Sequence, residues 1–188
     1  MKDQIFGKLD LHKVWLDSLG KDGMQLDLTE VDLSGIDLSQ KDLTSAIIPE
    51  VNLIKSNLFN TILNYSNLAS CHFNYANLEN AQIVKSIADY ANFTEANMKN
   101  TNLFRTTFYE TNLSGANLTG ANLSYTIFSE ANLENANLSG CKVYGINLND
   151  ANGVETITVN WIDIGENEKI EKIYYQEALD WLISKTKR

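Results

Sequence analysis

From Leu28 to Leu148 an apolar side chain recurs at every fifth residue, and the register never slips. Stepping by five visits 25 positions: sixteen Leu, four Phe (Phe73, Phe93, Phe108 and Phe128), Ile48, Ile83, Met98, Val143 and Ala88. At 44% hydrophobic residues, chance produces such a run roughly once in a billion trials. A period of five suits neither a 3.6-residue helix nor two-residue strand alternation, since either would sweep the leucines around every face. The chain must therefore turn once within each unit.

The residue two before each centre is Ala, Ser, Thr, Cys or Val in 21 of 25 units, and the residue just before it is Asn or Asp in 17. In a short extended segment the small residue and the centre point to one side and the Asn to the other. Two further residues make a corner. If four corners close a coil of twenty residues, centre stacks on centre and strand pairing at about 4.8 Å supplies the backbone hydrogen bonds, giving a rod roughly 30 Å long. A second large inward side chain would overpack so narrow a tube, hence the small slot. Asn and Asp suit the outward slot because they bond locally to turn backbone and can form ladders between coils.

These units resemble the pentapeptide-repeat family, with its consensus A(D/N)Lxx. The flanks are also similar to segments that border such repeats: His12, Trp15-Leu16, Ser18, Gly20 and Gly23 on one side, Trp161-Ile162-Asp163-Ile164-Gly165 and Trp181-Leu182 on the other. The resemblance implies an all-β solenoid, a right-handed quadrilateral β-helix, here of about six coils with short α-helical caps at both ends. The divisions expected are an N-terminal capping segment (1–25), the repeat β-helix (26–150) and a C-terminal segment with a capping helix (151–188). Departures from the pattern are Ala88 as an undersized centre, Ile36 and Lys41 in small slots, and Ile47, Ile62, Ile87 and Ile127 in the outward slot.

Open strand edges at the ends of a solenoid template aggregation and need covers. All three Trp lie outside the repeats. Leu11, Val14, Trp15, Ser18 and Leu19 fit one helical face, with Gly20 as a stop, which predicts a helix over 9–19. Ile170, Ile173, Tyr174, Ala178, Trp181 and Leu182 recur at three and four, with acids early and Lys185, Lys187 and Arg188 late, which predicts a helix over 169–185. Its apolar face serves either as the cap or as a homodimer contact.

The sequence offers little for catalysis. His12 and His72 lie sixty residues apart, and Cys71 and Cys141 occupy small slots about 17 Å apart along the rod, beyond the roughly 7 Å reach of a disulfide. No Ser or Thr has a His and an acid arranged beside it, and no phosphate-binding Gly motif occurs. The expectation is a protein that is not an enzyme, takes no cofactor or metal, and leaves no cavity inside its filled tube. No window approaches a membrane span, and Met1 to Lys8 lack the basic-then-apolar order of a secretory signal, so a cytoplasmic protein is expected. The formal charge of −9 argues against direct binding of nucleic acid or an anionic membrane. The repeat region carries 13 acids and 6 bases, a net of −7. The partner expected is another protein.

Function then falls to the outer surface, where residues twenty apart stack. One corner edge reads Glu30, Glu50, Ser70, Tyr90, Glu110, Glu130 and Asp150, with Asp89 beside Tyr90. This acidic edge is either a solubilising strip or a linear imitation of nucleic-acid phosphates. The family resemblance gives the second reading content, because several bacterial members bind DNA gyrase or topoisomerase IV as duplex mimics and confer fluoroquinolone tolerance. Another edge carries Tyr65, Lys85, Phe104, Arg105, Tyr125 and Tyr144 and no acid, the composition of protein contacts, although side-by-side aromatics can also merely tie neighbouring coils. A third has Gln40, Asn60, Asn80, Asn100, Gly120 and Gly140 at the second corner position, which predicts a stack of type II turns there and a different turn on the other edges. The function expected is a non-enzymatic interaction or structural module acting through its outer faces, with the gyrase-directed mimic as the alternative.

Overall fold

The computed structural model describes residues 2–166 and 169–186. All 25 centres from Leu28 to Leu148 are buried, and so is every small-slot residue between them except Val31 and Lys41. The residue between slot and centre faces out and forms a single parallel bridge to the residue twenty positions on, from Asp27↔Ile47 through to Asn132↔Asn152. The chain thus returns over itself every twenty residues, with four corners per return. At Asn137↔Thr158 the spacing becomes 21, where a short 3-10 helix (Val154–Thr156) follows the left-handed Gly153.

Polar residues in the small slot are satisfied in place. Thr61, Ser66, Ser86, Thr111 and Thr126 donate their hydroxyls to the carbonyls of Leu38, Leu43, Leu63, Ala88 and Leu103, each 23 residues back, and the Cys71 and Cys141 thiols do the same to Ile48 and Leu118. A small hydroxyl or thiol therefore ties one coil to the next, its hydrogen bond offsetting the cost of removing it from water. In the outward slot, Asn Oδ1 accepts the N–H two residues on, as Asn52 does from Ile54, while the amides chain between coils from Asn97 to Asn77 to Asn57 to Asp37.

The turn expectation needs correction. The left-handed second corner residue is not confined to the Asn and Gly edge: all 25 such residues have positive φ, including Glu50 (58°), Tyr65 (58°), Lys85 (54°) and Arg105 (58°). Most corners close with an N–H from the next small slot to the preceding centre's carbonyl, as in Ala46 N–H to Leu43, while the Ser66 N–H instead bonds the Ser86 hydroxyl. A left-handed residue costs a non-Gly side chain about 1–2 kcal/mol. The repeated closure imposes it regardless, and in return the N–H of the left-handed residue points along the axis. Lys85 N–H reaches the Phe104 carbonyl at 2.9 Å, and Glu50 N–H the Ala69 carbonyl at 2.9 Å.

Helix α1 (Lys2–Asp17) begins earlier than the residue pattern suggests and turns a different face inward. Ile5, Leu9 and His12 are the buried stripe, Ile5 and Leu9 joining the same apolar cluster as Leu26 and Leu28, whereas Leu11, Val14 and Leu19 are exposed. The helix ends with Leu19 in the left-handed position and Gly20 after it: Leu19 N–H bonds to Leu16 and Gly20 N–H to Trp15, the paired bonds of a Schellman ending. Gly23 lies against the helix so closely that a Cβ would stand 2.3 Å from the Leu11 carbonyl oxygen.

His12 is fully buried, stacks on Trp15 and accepts the Leu26 N–H at Nδ1 over 3.0 Å, tying helix to first coil. Burial holds its pKa below the ordinary 6.5, with Asp42 pulling weakly the other way. Because the folded value is depressed, the docking is at full strength above about pH 6.5 and is lost as pH falls, since the unfolded chain takes up a proton first. Thermal unfolding followed from pH 8 to 5 is expected to show a falling midpoint below that point. His12→Asn, which keeps an acceptor and cannot titrate there, should flatten the profile, and an unchanged slope would contradict this assignment.

At the other end, β1 (Cys141–Lys142) pairs in parallel with β2 (Trp161–Asp163), which pairs antiparallel with β3 (Lys172–Tyr174), and α2 (Tyr175–Ser184) follows. The helix read from the sequence over 169–185 thus begins only at Tyr175, with a three-residue strand ahead of it. Ile173 and Tyr174 belong to β3, which occupies the free edge of β2, and only Ala178 and Leu182 of the expected apolar stripe are buried helical residues. Trp181 packs partly buried against the same core, while Ile170 and Tyr174 of the apolar set remain exposed. Lys187 and Arg188 lie outside the described residues.

Candidate functional site

Two corner edges hold the residues singled out in the sequence, and they border the same side of the solenoid. On the aromatic and basic edge, Tyr65, Lys85, Arg105 and Tyr125 are left-handed corner residues twenty apart, exposed to solvent, while Phe104 and Tyr144 are half-buried at the preceding corner position. The structure brings them into two clusters. Lys85 Nζ lies 5.5 Å from the Tyr65 ring centre. The Arg105 guanidinium sits 5.1 Å from Phe104 and 5.3 Å from Tyr125, and Phe104, Tyr125 and Tyr144 meet edge to face at 5.7 and 5.4 Å. Cation–π contacts of this kind hold an arginine out in water with its aliphatic stem covered.

Gly145, which the residue pattern offers only as a corner, makes this stacking possible. A Cβ there would stand 2.7 Å from the Tyr125 ring. Past Tyr144 the edge runs into a cleft of about 220 Å³, lined also by Lys142, Lys169 and Ile170. The Glu166 carboxylate beside the Tyr144 hydroxyl raises its pKa, as does Tyr125 to a lesser degree. These C-terminal neighbours escape sequence reading because they come from outside the repeat.

On the acidic edge Glu30, Glu50, Glu110, Glu130 and Asp150 are exposed left-handed corner residues, and Asp89 is half-buried. The array is neither continuous nor bare. Ser70 and Tyr90 occupy two of its rungs, Asp89 Oδ1 accepts the Tyr109 N–H at 3.0 Å, and the Tyr109 hydroxyl donates to Glu130 at 3.2 Å. Glu110, then Glu130, push the Tyr109 hydroxyl well above its ordinary pKa of 10. Tyr109, absent from the sequence-derived edge, is what organises it.

The two cysteines are free and buried, and burial pushes both thiols up to about 12. They are protonated at neutral pH and unsuited to nucleophilic attack. Among the described residues no group of three His, Cys, Asp or Glu is disposed to hold a metal ion, and no helix is long and apolar enough to cross a membrane.

The family model described as pentapeptide repeats matches eight copies over residues 27–64, 52–87, 88–120 and 116–152. The chain belongs to the pentapeptide-repeat family. A comparison with curated protein sequences found no match. Among solved structures this pentapeptide-repeat protein is similar to HetL, described as involved in heterocyst differentiation regulation in the cyanobacterium Nostoc sp. strain PCC 7120. Identity is 24%, covering 71% of this chain and 78% of that one, with a TM-score of 0.42. QnrB1, described as a plasmid-mediated fluoroquinolone resistance protein, gives 18% identity over 77% and 84% of the two chains with a TM-score of 0.41. A pentapeptide-repeat protein from the Arabidopsis thaliana thylakoid lumen gives 19% over 77% and 71%, with a TM-score of 0.32.

Proposed function

We propose that this pentapeptide-repeat protein is a non-enzymatic scaffold that binds another protein through the edge formed by Tyr65, Lys85, Phe104, Arg105, Tyr125 and Tyr144. We infer that its solenoid is a right-handed quadrilateral β-helix of about six coils, with α1 and the α2 region as covers. The observation that carries the functional reading is the Arg105 guanidinium held between Phe104 and Tyr125 on an exposed edge whose own corner residues include no carboxylate. Arginine flanked by aromatics is the residue set that dominates protein-contact energetics. The filled interior and the protonated, buried thiols support a role without catalysis.

The acidic edge supports a gyrase- or topoisomerase-directed duplex mimic less well. Between Glu50 and Glu110 its one carboxylate is Asp89, already engaged by Tyr109, so a basic groove would meet a broken line of charge. Affinity capture separates the two readings. Phe104→Ala with Tyr125→Ala is expected to abolish recovery of the partner without lowering the unfolding midpoint by more than a few degrees, and charge reversal at Glu110, Glu130 and Asp150 to leave recovery intact. Salt-sensitive inhibition of gyrase supercoiling, lost on that charge reversal, would replace this proposal with the mimic.

A further inference from the structure

The outward slot distinguishes one side of the solenoid from the other three. On two of those it is overwhelmingly Asn or Asp, whose amides and carboxylates bond to the corner and to each other, and the third is mixed, with Asp42, Ile62, Gln82, Asn102, Asn122 and Lys142 and so a single isoleucine. On the fourth, successive parallel bridges join Ile47, Asn67, Ile87, Thr107, Ile127 and Asn147. Ile87 and Ile127 are 48% and 38% exposed. A β-branched apolar side chain forgoes the corner hydrogen bond that Asn makes, and three isoleucines in one stripe leave apolar surface facing water.

This side lies between the two edges already described. Lys85 and Arg105 stand along one border, Asp89, Glu110 and Glu130 along the other, with Ile87 and Ile127 between. We propose that a second copy of this chain packs on this side, the two rods parallel and related by a two-fold axis along their length. Such an axis exchanges left and right while keeping height, so each isoleucine meets its own counterpart and Arg105 of each copy faces the other copy's Glu110 and Glu130. A two-fold across the rods would instead set like-charged borders together. The charge pattern therefore selects both the occupant and its direction, as an isologous interface requires.

The inference rests on the Lys85 and Arg105 border being a contact edge, as proposed above, and adds what meets it on the isoleucine side. Five strand spacings give a length of about 24 Å, and a width of about 10 Å makes a flat area near 250 Å² per copy before the corner side chains are counted. That is well under the roughly 800 Å² per partner of a standard interface, so the dimer should be weak and form only as concentration rises.

Sedimentation equilibrium of the full chain from about 5 µM to about 1 mM tests this. The mass is expected to rise toward two chains with concentration. Ile87→Asn with Ile127→Asn, which places there the residue that Asn67 and Asn147 already supply on this side and should fold, is expected to weaken association at least about 10-fold. Arg105→Glu should do the same, and mixing it with a chain carrying Glu110→Arg and Glu130→Arg should recover a heterodimer. A monomer at every concentration, or self-association unaltered by the isoleucine pair, overturns the inference. Partner recovery that depends on Phe104 and Tyr125 in a monomeric chain would sink the dimer and leave the scaffold reading standing, whereas a dimer with no such recovery would do the reverse.

Discussion

Phe93→Ala is expected to lower the free energy of unfolding by about 3–5 kcal/mol and the unfolding midpoint by roughly 10 °C. Phe93 is fully buried and links two aromatic pairs. Its ring stacks on Phe73 with centres 4.6 Å apart and meets Phe108 edge to face at 5.6 Å, and Phe108 in turn stacks on Phe128 at 5.1 Å. Truncation removes the transfer free energy of the ring, leaves a cavity in a tube whose backbone is tied on all four sides, and forfeits two ring contacts worth about 0.5–1.5 kcal/mol each. Phe93→Leu should cost far less, about 1–1.5 kcal/mol, because Leu fills most of the equivalent positions. Denaturant unfolding with both variants checks the claim. A loss below 1 kcal/mol for the alanine variant would mean that the Phe93 ring does not lie inside the tube.

The same geometry explains which features are legible in the residue order. Whether a side chain points in or out depends only on its place within five residues, so Leu58, Ala76 and Asn97 can be assigned without knowing the coil diameter. The stacking of surface residues depends on a period of twenty, and this too follows once four corners are assumed, which is why the Glu110 and Glu130 edge and the Phe104 and Tyr125 edge appear where the sequence puts them.

Corner conformation was not legible, because intrinsic preference argues against Tyr65, Lys85 or Glu50 at positive φ. Closure of the coil and, at most units, the axial N–H to carbonyl bond override that preference. At the ends the repeat no longer dictates anything. There the helical spacing of Ile170, Ile173 and Tyr174 yields to the need of β2 for a hydrogen-bonded neighbour, and α1 buries Ile5, Leu9 and His12 in place of the Leu11 and Val14 face. The site shows the same division. Its members follow from stacking, whereas Tyr109 bridging to Glu130, Gly145 making room for Tyr125, and the approach of Glu166 to Tyr144 are side-chain matters that no period encodes.

The second large effect concerns the register itself. If the interior repeats every five residues, a duplicated unit inserted after Gly120, with the sequence of Ala116 to Gly120, supplies another small slot, outward Asn, buried Leu and corner. Every later unit still pairs with the one four units before it. The core should accept this at a cost below about 1 kcal/mol, as solenoids accept whole repeats, while the outer edges above and below the insertion fall a quarter turn out of line. A single Ala inserted between Asn117 and Leu118 instead sends the following side chains to the opposite face until a corner absorbs the shift, and is expected to cost about 3 kcal/mol or more. Among the described residues the twenty-residue spacing gains its extra residue near 153–156, beyond the last regular unit, where Gly153 and a 3-10 turn absorb it.

The thermal unfolding midpoint of these two insertion variants beside the parent chain is the most direct test of a core with a five-residue period. A midpoint within about 3 °C of the parent for the five-residue insertion, together with a drop of about 8 °C or more for the single residue, is the result expected. Equal damage from both insertions would contradict it.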